Sequence, residues 1–149
     1  MFFHEKTYDI DELVKHNLHI HTRFSRCANP EMLAVDIIKT AEAAGLEMIA
    51  MTDHNYIAKR NAVAQQRYDI LREIAEVETN VKVFIGAELS AYGIGKFADD
   101  IACDSSLDYR LYTINHYHQD YWEHPEVKTP RAYAEHMLAI ADCVIESGR

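Results

Sequence analysis

Four short hydrophobic runs in this chain each end in a side chain able to bind a metal ion. They recur at a pitch of about 30 residues, the length of one βαβ crossover. The runs finish at His19 and His21, at His54, at Glu88 and at His116. Parallel strands joined by helices gather their C-terminal ends on one face, and such folds build their sites there. The pitch therefore predicts an α/β fold in which four distant segments deliver polar side chains to one cluster.

The stretches between the runs fit that plan. A short helical turn is expected around Asp11–Lys15. Asn17–His21 reads as a first strand, with Leu18 and Ile20 alternating against the two histidines. Asn29-Pro30-Glu31 has the residues of a helix start: a cap, a proline at the first position and an acid in the first turn. Leu33, Ile37, Ile38, Ala41 and Ala44 follow at helical spacing, and Gly45 ends the helix. Met48–Met51 is a continuous apolar run, as expected of a strand buried on both faces. A second helix is predicted from Asn55 to about Glu78, then a third strand over Val81–Ile85. The glycines, Asp and Ser of residues 90–107 suggest irregular structure, and Arg110–Asn115 a fourth strand. Thr129-Pro130 opens a last helix that Gly148 closes. No linker or low-complexity stretch divides the 149 residues, so one domain is expected.

Composition narrows the function classes. With 48 % hydrophobic and 26 % charged residues the chain should fold as a globule rather than remain disordered. Its formal charge of −9 argues against long nucleic acid, whose binding leans on a basic face. Cys27, Cys103 and Cys143 form no C-x-x-C pair, which favours free thiols and a reducing, cytoplasmic setting. No run approaches the roughly 20 apolar residues of a membrane span, and no membrane partner is expected.

Each candidate ligand has a plain alternative. His19 and His21 are two apart in a strand, so they point the same way and can converge on one cation; two exposed polar positions are the bland reading. In Thr52-Asp53-His54 a carboxylate sits beside an imidazole, as a ligand pair or as a ligand with its supporting partner. A turn Asp with a bystander His is the alternative. Gly86 could let the backbone turn tightly toward a site, and Glu88 could bridge two cations or be merely solvated. Of His116 and His118 only one is expected to face the cluster, and His116 is favoured as the first after the strand. Tyr112, Tyr117, Tyr121 and Trp122 are expected to serve core and rim packing. Arg23 and Arg26 could hold a phosphate or simply face solvent. Together these segments supply several histidines and a carboxylate from separate strands, as two-metal phosphate chemistry requires.

With those residues in view, the chain resembles the PHP (polymerase and histidinol phosphatase) family. The family's H-x-H-T motif with a following Ser looks like His19-Ile20-His21-Thr22 and Ser25. Its T-D-H stands at Thr52-Asp53-His54, its G-x-E at Gly86-Ala87-Glu88, and a later histidine at His116. The resemblance implies the N-terminal part of a distorted, TIM-like (βα)7 barrel with outer helices. It further implies two or three divalent metal ions (zinc, manganese or iron) and hydrolysis of phosphate esters by a metal-activated water. In the family's pattern the first histidine pair and the glutamate hold one metal, and the glutamate bridges to a second. The T-D-H histidine and a residue shortly after H-x-H hold the third. That last position falls on Cys27, where the family more often has His or Asp. A thiolate there would suit zinc better than manganese or magnesium; a buried, unligated thiol is the alternative. Asp53 is expected beside the ligands as a supporting or catalytic carboxylate, with Arg26 on the substrate.

The family's downstream histidine and its closing Asp-x-His motif have no counterpart up to Arg149. The expectation is thus a domain incomplete at its C-terminus, to be completed by further chain, by a second copy in a homo-oligomer or by a separate chain. The substrate expected is a small phosphorylated molecule. Two other readings follow from the same residues: an amidohydrolase-like C–N hydrolase, which also uses H-x-H after a first strand, and a truncated, non-catalytic metal-binding remnant.

Overall fold

The computed structural model describes residues 9–54, 62–98 and 106–149. In chain order the elements are α1 (Ile10–Leu13), β1 (His16–Ile20), α2 (Ala34–Ala43), β2 (Met48–His54), α3 (Ala62–Ile74), β3 (Lys82–Gly93), β4 (Lys96–Phe97), β5 (Tyr109–Thr113) and α4 (Pro130–Ser147). The sheet is open and mostly parallel: β1, β2, β3 and β5 lie side by side in that order, all parallel. β4 returns antiparallel on the end of β3, pairing Ala91 with Phe97. Among the described residues the strands do not close into a barrel.

Alternation along the strands assigns each residue to a face. Ile49 and Met51 of β2 and Ile85 of β3 pack with Ala34, Ile37, Ile38 and Ala41 of α2 and Ile70 of α3 in the main core. Each such fully buried Ile or Met contributes about 1.5–3 kcal/mol. The opposite alternation puts His19, His54 and Glu88 together on the other face. A second cluster joins Val63 of α3 to Ala87, Leu89 and Leu107, and a third seats Ile140 of α4 on Ala91 and Phe97.

The register sets the site. β2 and β3 pair from Met48↔Lys82 to His54↔Glu88 without a slip, so His54 and Glu88 are direct neighbours. β5 pairs Glu88 with Leu111 on the other side. β3 is longer than Val81–Ile85, because β5 and then β4 give its second half ladder partners; Glu88 therefore sits within a strand. Gly86 does not serve a turn. A Cβ there would run into the carbonyl oxygen of Tyr109, so glycine is what lets β5 come close.

The helix expected to start at Asn29-Pro30 starts later. Asn29 Oδ1 accepts from Glu31 N at 3.0 Å, an Asx turn that competes with helix, and α2 begins at Ala34 with Leu33 as its cap residue. Leu33 offers no side-chain cap. Instead Glu73, from α3, accepts the Ala34 N–H at 2.6 Å. The α2 end is as read: Gly45 takes φ 73°. α3 stops at Ile74, short of Glu78, and the Asn55 cap lies outside the described residues. In α4, Thr129 caps Ala132 N at 3.3 Å, Pro130 occupies the first turn and Gly148 takes φ 68°. Among the described residues no helix is long and apolar enough to cross a membrane.

Candidate metal centre

Glu88 is the hub. Its carboxylate is 4 % exposed and lies where the C-terminal ends of β1 and β2 meet the middle of β3. Glu88 Oε2 is 2.9 Å from His21 Nε2, 3.2 Å from His19 Nε2 and 3.2 Å from His54 Nδ1. The two Nε2 atoms of His19 and His21 are 3.1 Å apart. His116, carried by the loop after β5, brings Nε2 to 3.7 Å from Glu88 Oε1. The rings step across the sheet, His19 to His21 to His54 to His116, at centroid spacings of 4.9, 4.5 and 5.4 Å.

Those spacings suit a shared cation. Donors each about 2.1 Å from one ion lie about 3.0 Å apart at a right angle and about 3.4 Å apart at the tetrahedral angle. The His19–His21–Glu88 triangle, with sides of 2.9, 3.1 and 3.2 Å, falls at that spacing. Among the described residues three sets of donor atoms are close enough to hold an ion: His19, His21 and Glu88; His54, Glu88 and His116; and His21, Cys27 and His54. Burial pushes the His54 and His116 imidazoles below their ordinary pKa, the nearby Glu88 charge opposing it. Both are therefore neutral at pH 7 and present a lone pair, the form that binds a metal.

Asp53 turns away from this hub. Its Oδ1 accepts from Thr22 N at 2.8 Å and from Ser25 Oγ at 2.6 Å, and its Oδ2 from Thr22 Oγ1 at 2.6 Å. Ser25 Oγ in turn accepts from His54 N at 3.1 Å. The carboxylate thereby pins the loop after β1 to the end of β2, fixing His21 and His54 relative to each other. Both of its carboxylate oxygens are engaged in these bonds.

Cys27 is exposed, not buried, with Sγ 3.0 Å from His21 Nδ1. Cys143 is free as well, and Cys103 lies outside the described residues. Arg26 lines a cleft of about 530 Å³ beside the hub, together with Cys27, His54, Ser90, His116 and Tyr121. Arg23 is elsewhere: its guanidinium pairs with Glu73 Oε2 at 3.1 Å, supporting the residue that caps α2. Its guanidinium thus lines a different surface from the cleft of Arg26. His118 lines the cleft wall and bonds Gln119 at 2.8 Å.

Sequence reasoning missed Ser90 and Gln119 as cleft residues. Ser90 is two beyond Glu88 and so shares its face, a signal that a longer β3 would have given. The aromatic residues divide: Trp122 is buried at 3 % with its ring 5.7 Å from that of His116, while Tyr121 stands at the cleft rim.

The family model for the PHP domain matches residues 17–146. No curated protein matches the sequence.

Proposed function

The chain belongs to the PHP domain family, and from that premise we propose that it is a metal-dependent hydrolase acting on phosphate esters of small molecules. The observation that carries this reading is one buried carboxylate oxygen, Glu88 Oε2, met within 3.2 Å by imidazole nitrogens of His19, His21 and His54. A shared cation would account for this convergence, since neutral imidazoles can each turn a lone pair toward it beside the carboxylate.

In this reading His19, His21, His54, Glu88 and His116 would hold the divalent ions, Glu88 belonging to two of the donor sets. Cys27 with His21 and His54 offers a third position that favours zinc over manganese or iron. Bound cations supply an acidified water and positive charge facing the phosphoryl oxygens. The protein's own groups do the rest. Asp53 keeps the loop after β1 against β2 and so holds the spacing of the ligands. Arg26 on the cleft wall offers a guanidinium to the phosphate. The polar cleft, with Ser90 and Tyr121 Oη 3.4 Å apart, receives the alcohol portion of a small substrate. The open sheet is read as consecutive staves of a distorted TIM-like (βα)7 barrel, and the free thiols favour a cytoplasmic setting.

The test is metal content together with hydrolysis of p-nitrophenyl phosphate, for the wild type and for His19→Ala and Glu88→Ala. Both variants should lose metal and activity. Unchanged metal content in both, or turnover of an amide in preference to the phosphate ester, sinks the assignment.

A further inference from the structure

A part-buried polar cluster, outside the three donor sets, joins the loop that carries His116 to two other elements. His136 of α4 is 9 % exposed. Its Nδ1 is 2.8 Å from the Tyr117 hydroxyl, and its Nε2 is 3.6 Å from Glu123 Oε1. Glu123 Oε2 pairs with Lys96 Nζ of β4 at 2.7 Å, and Glu123 N donates to Tyr92 O of β3 at 2.7 Å. The Glu123 side chain also fills the space that a Cβ on Gly93 would need. The loop is thus tied to the β3–β4 hairpin at Glu123 and to α4 at Tyr117. Trp122 is packed between, its ring 5.7 Å from His116 and 6.1 Å from Tyr117.

Nε2 is beyond hydrogen-bond reach of Glu123, but a carboxylate only accepts, so its nearby charge favours the tautomer with the proton on Nε2. Nδ1 then has a lone pair and accepts from the Tyr117 hydroxyl. A leucine or phenylalanine at 136 would fill the same volume against the sheet, so packing alone does not call for an imidazole there. What the imidazole adds is a directional acceptor beneath the residue that follows His116.

We propose that His136 is a positioning residue for His116, acting through Tyr117. By holding the Tyr117 side chain under the loop, it fixes the backbone from which the His116 imidazole reaches toward Glu88. The inference rests on the reading of His116 as a metal ligand. It adds that the ligand's aim is set from α4, an element that contributes no donor to the cluster.

Cobalt(II) titration of the metal-free protein, followed by visible absorption and by bound-metal count, tests this. His116→Ala should abolish binding of one ion. Tyr117→Phe and His136→Phe should each weaken the same ion about 10–100-fold, the range for partners that orient a ligand, and leave the tighter ion unchanged. His136→Asn, whose Oδ1 can stand in for Nδ1 as acceptor, should recover most of that loss. If His116→Ala changes nothing, the ligand reading fails and the inference falls with it. If His116→Ala removes an ion but Tyr117→Phe leaves its affinity intact, the inference alone is overturned. It is likewise overturned if His136→Asn binds no better than His136→Phe while both melt at the same temperature.

Discussion

His54 and Glu88 are paired neighbours on adjacent parallel strands, and His54 Nδ1 lies 3.2 Å from Glu88 Oε2. Strand register alone places an imidazole against a carboxylate at the sheet's C-terminal side. A slip of one residue would send the pair to opposite faces. That dependence on backbone pairing separates this contact from a surface ion pair, and it makes the hub sensitive to changes in sheet geometry.

Glu88→Gln should cost more metal affinity than any change to a supporting residue. Outer partners alone are worth about 10–100-fold in affinity, and Glu88 belongs to two of the donor sets. Equilibrium dialysis against zinc and manganese should show loss of metal, with the proposed phosphate-ester hydrolysis lost in parallel. The metal-free variant should unfold at no lower urea concentration than the metal-free wild type, because a buried charge has been removed.

Asp53→Asn should destabilise the fold itself. The amide keeps one oxygen but turns an NH2 group toward donors that now lack an acceptor. Losing charge-assisted bonds in a buried position predicts a cost of about 2–3 kcal/mol in urea unfolding. Weakened metal binding should accompany it, since the tie between His21 and His54 loosens. An unaltered unfolding midpoint would contradict the positioning role.

Gly86→Ala should separate β5 from β3. The added methyl meets the Tyr109 backbone, which cannot rotate away as a side chain can. Overpacking of this kind costs about 1–3 kcal/mol, and because β5 leads into His116 the proposed metal position that includes His116 should weaken as well. Thermal melts with and without zinc would show both effects.

The metal-free protein should lose stability as pH falls through the region of the ordinary histidine pKa. Burial lowers the pKa of His54 and His116 in the folded state. The unfolded chain therefore binds more protons over that interval, and stability rises with pH across it. Melting temperatures between pH 8 and pH 5 should fall on the acid side of about 6.5, and metal affinity should fall with them as protons compete for the same lone pairs. A flat profile would mean that these imidazoles are as solvated as in the unfolded chain.

Cys27→Ser should reduce zinc affinity more than manganese affinity, since oxygen is the poorer donor for the softer ion. If Cys27 ligates, the cobalt-substituted wild type should show sulfur-to-metal charge-transfer absorption that the variant lacks. Its absence from the wild type would leave Cys27 as a hydrogen-bond partner of His21 Nδ1 only.

The parts of this molecule legible in sequence are those set by short-range periodicity. His19 and His21 share a face because strands repeat every two residues, and α4 announced both its ends through Thr129-Pro130 and Gly148. What was hidden depended on partners far along the chain. Arg23 looked available for a phosphate, yet Glu73 on α3 claims it. Asn29-Pro30 had the composition of a helix start, yet an Asx turn and that same Glu73 moved the start to Ala34. Gly86 suggested a turn, and only the approach of Tyr109 shows why the strand continues through it. Asp53 adjoins a hub residue in sequence, but the alternation of β2 directs it to Thr22 and Ser25.

β3 carries Glu88 between ladder partners on both flanks, whereas Cys27 and His116 come from loops at the periphery. A change of substrate preference can therefore be accommodated by rewriting those outer loops while the central anchor stays put. On the proposed ligand sets, ions should leave from the margin inward, the set with His116 or Cys27 emptying well before that of His19, His21 and Glu88.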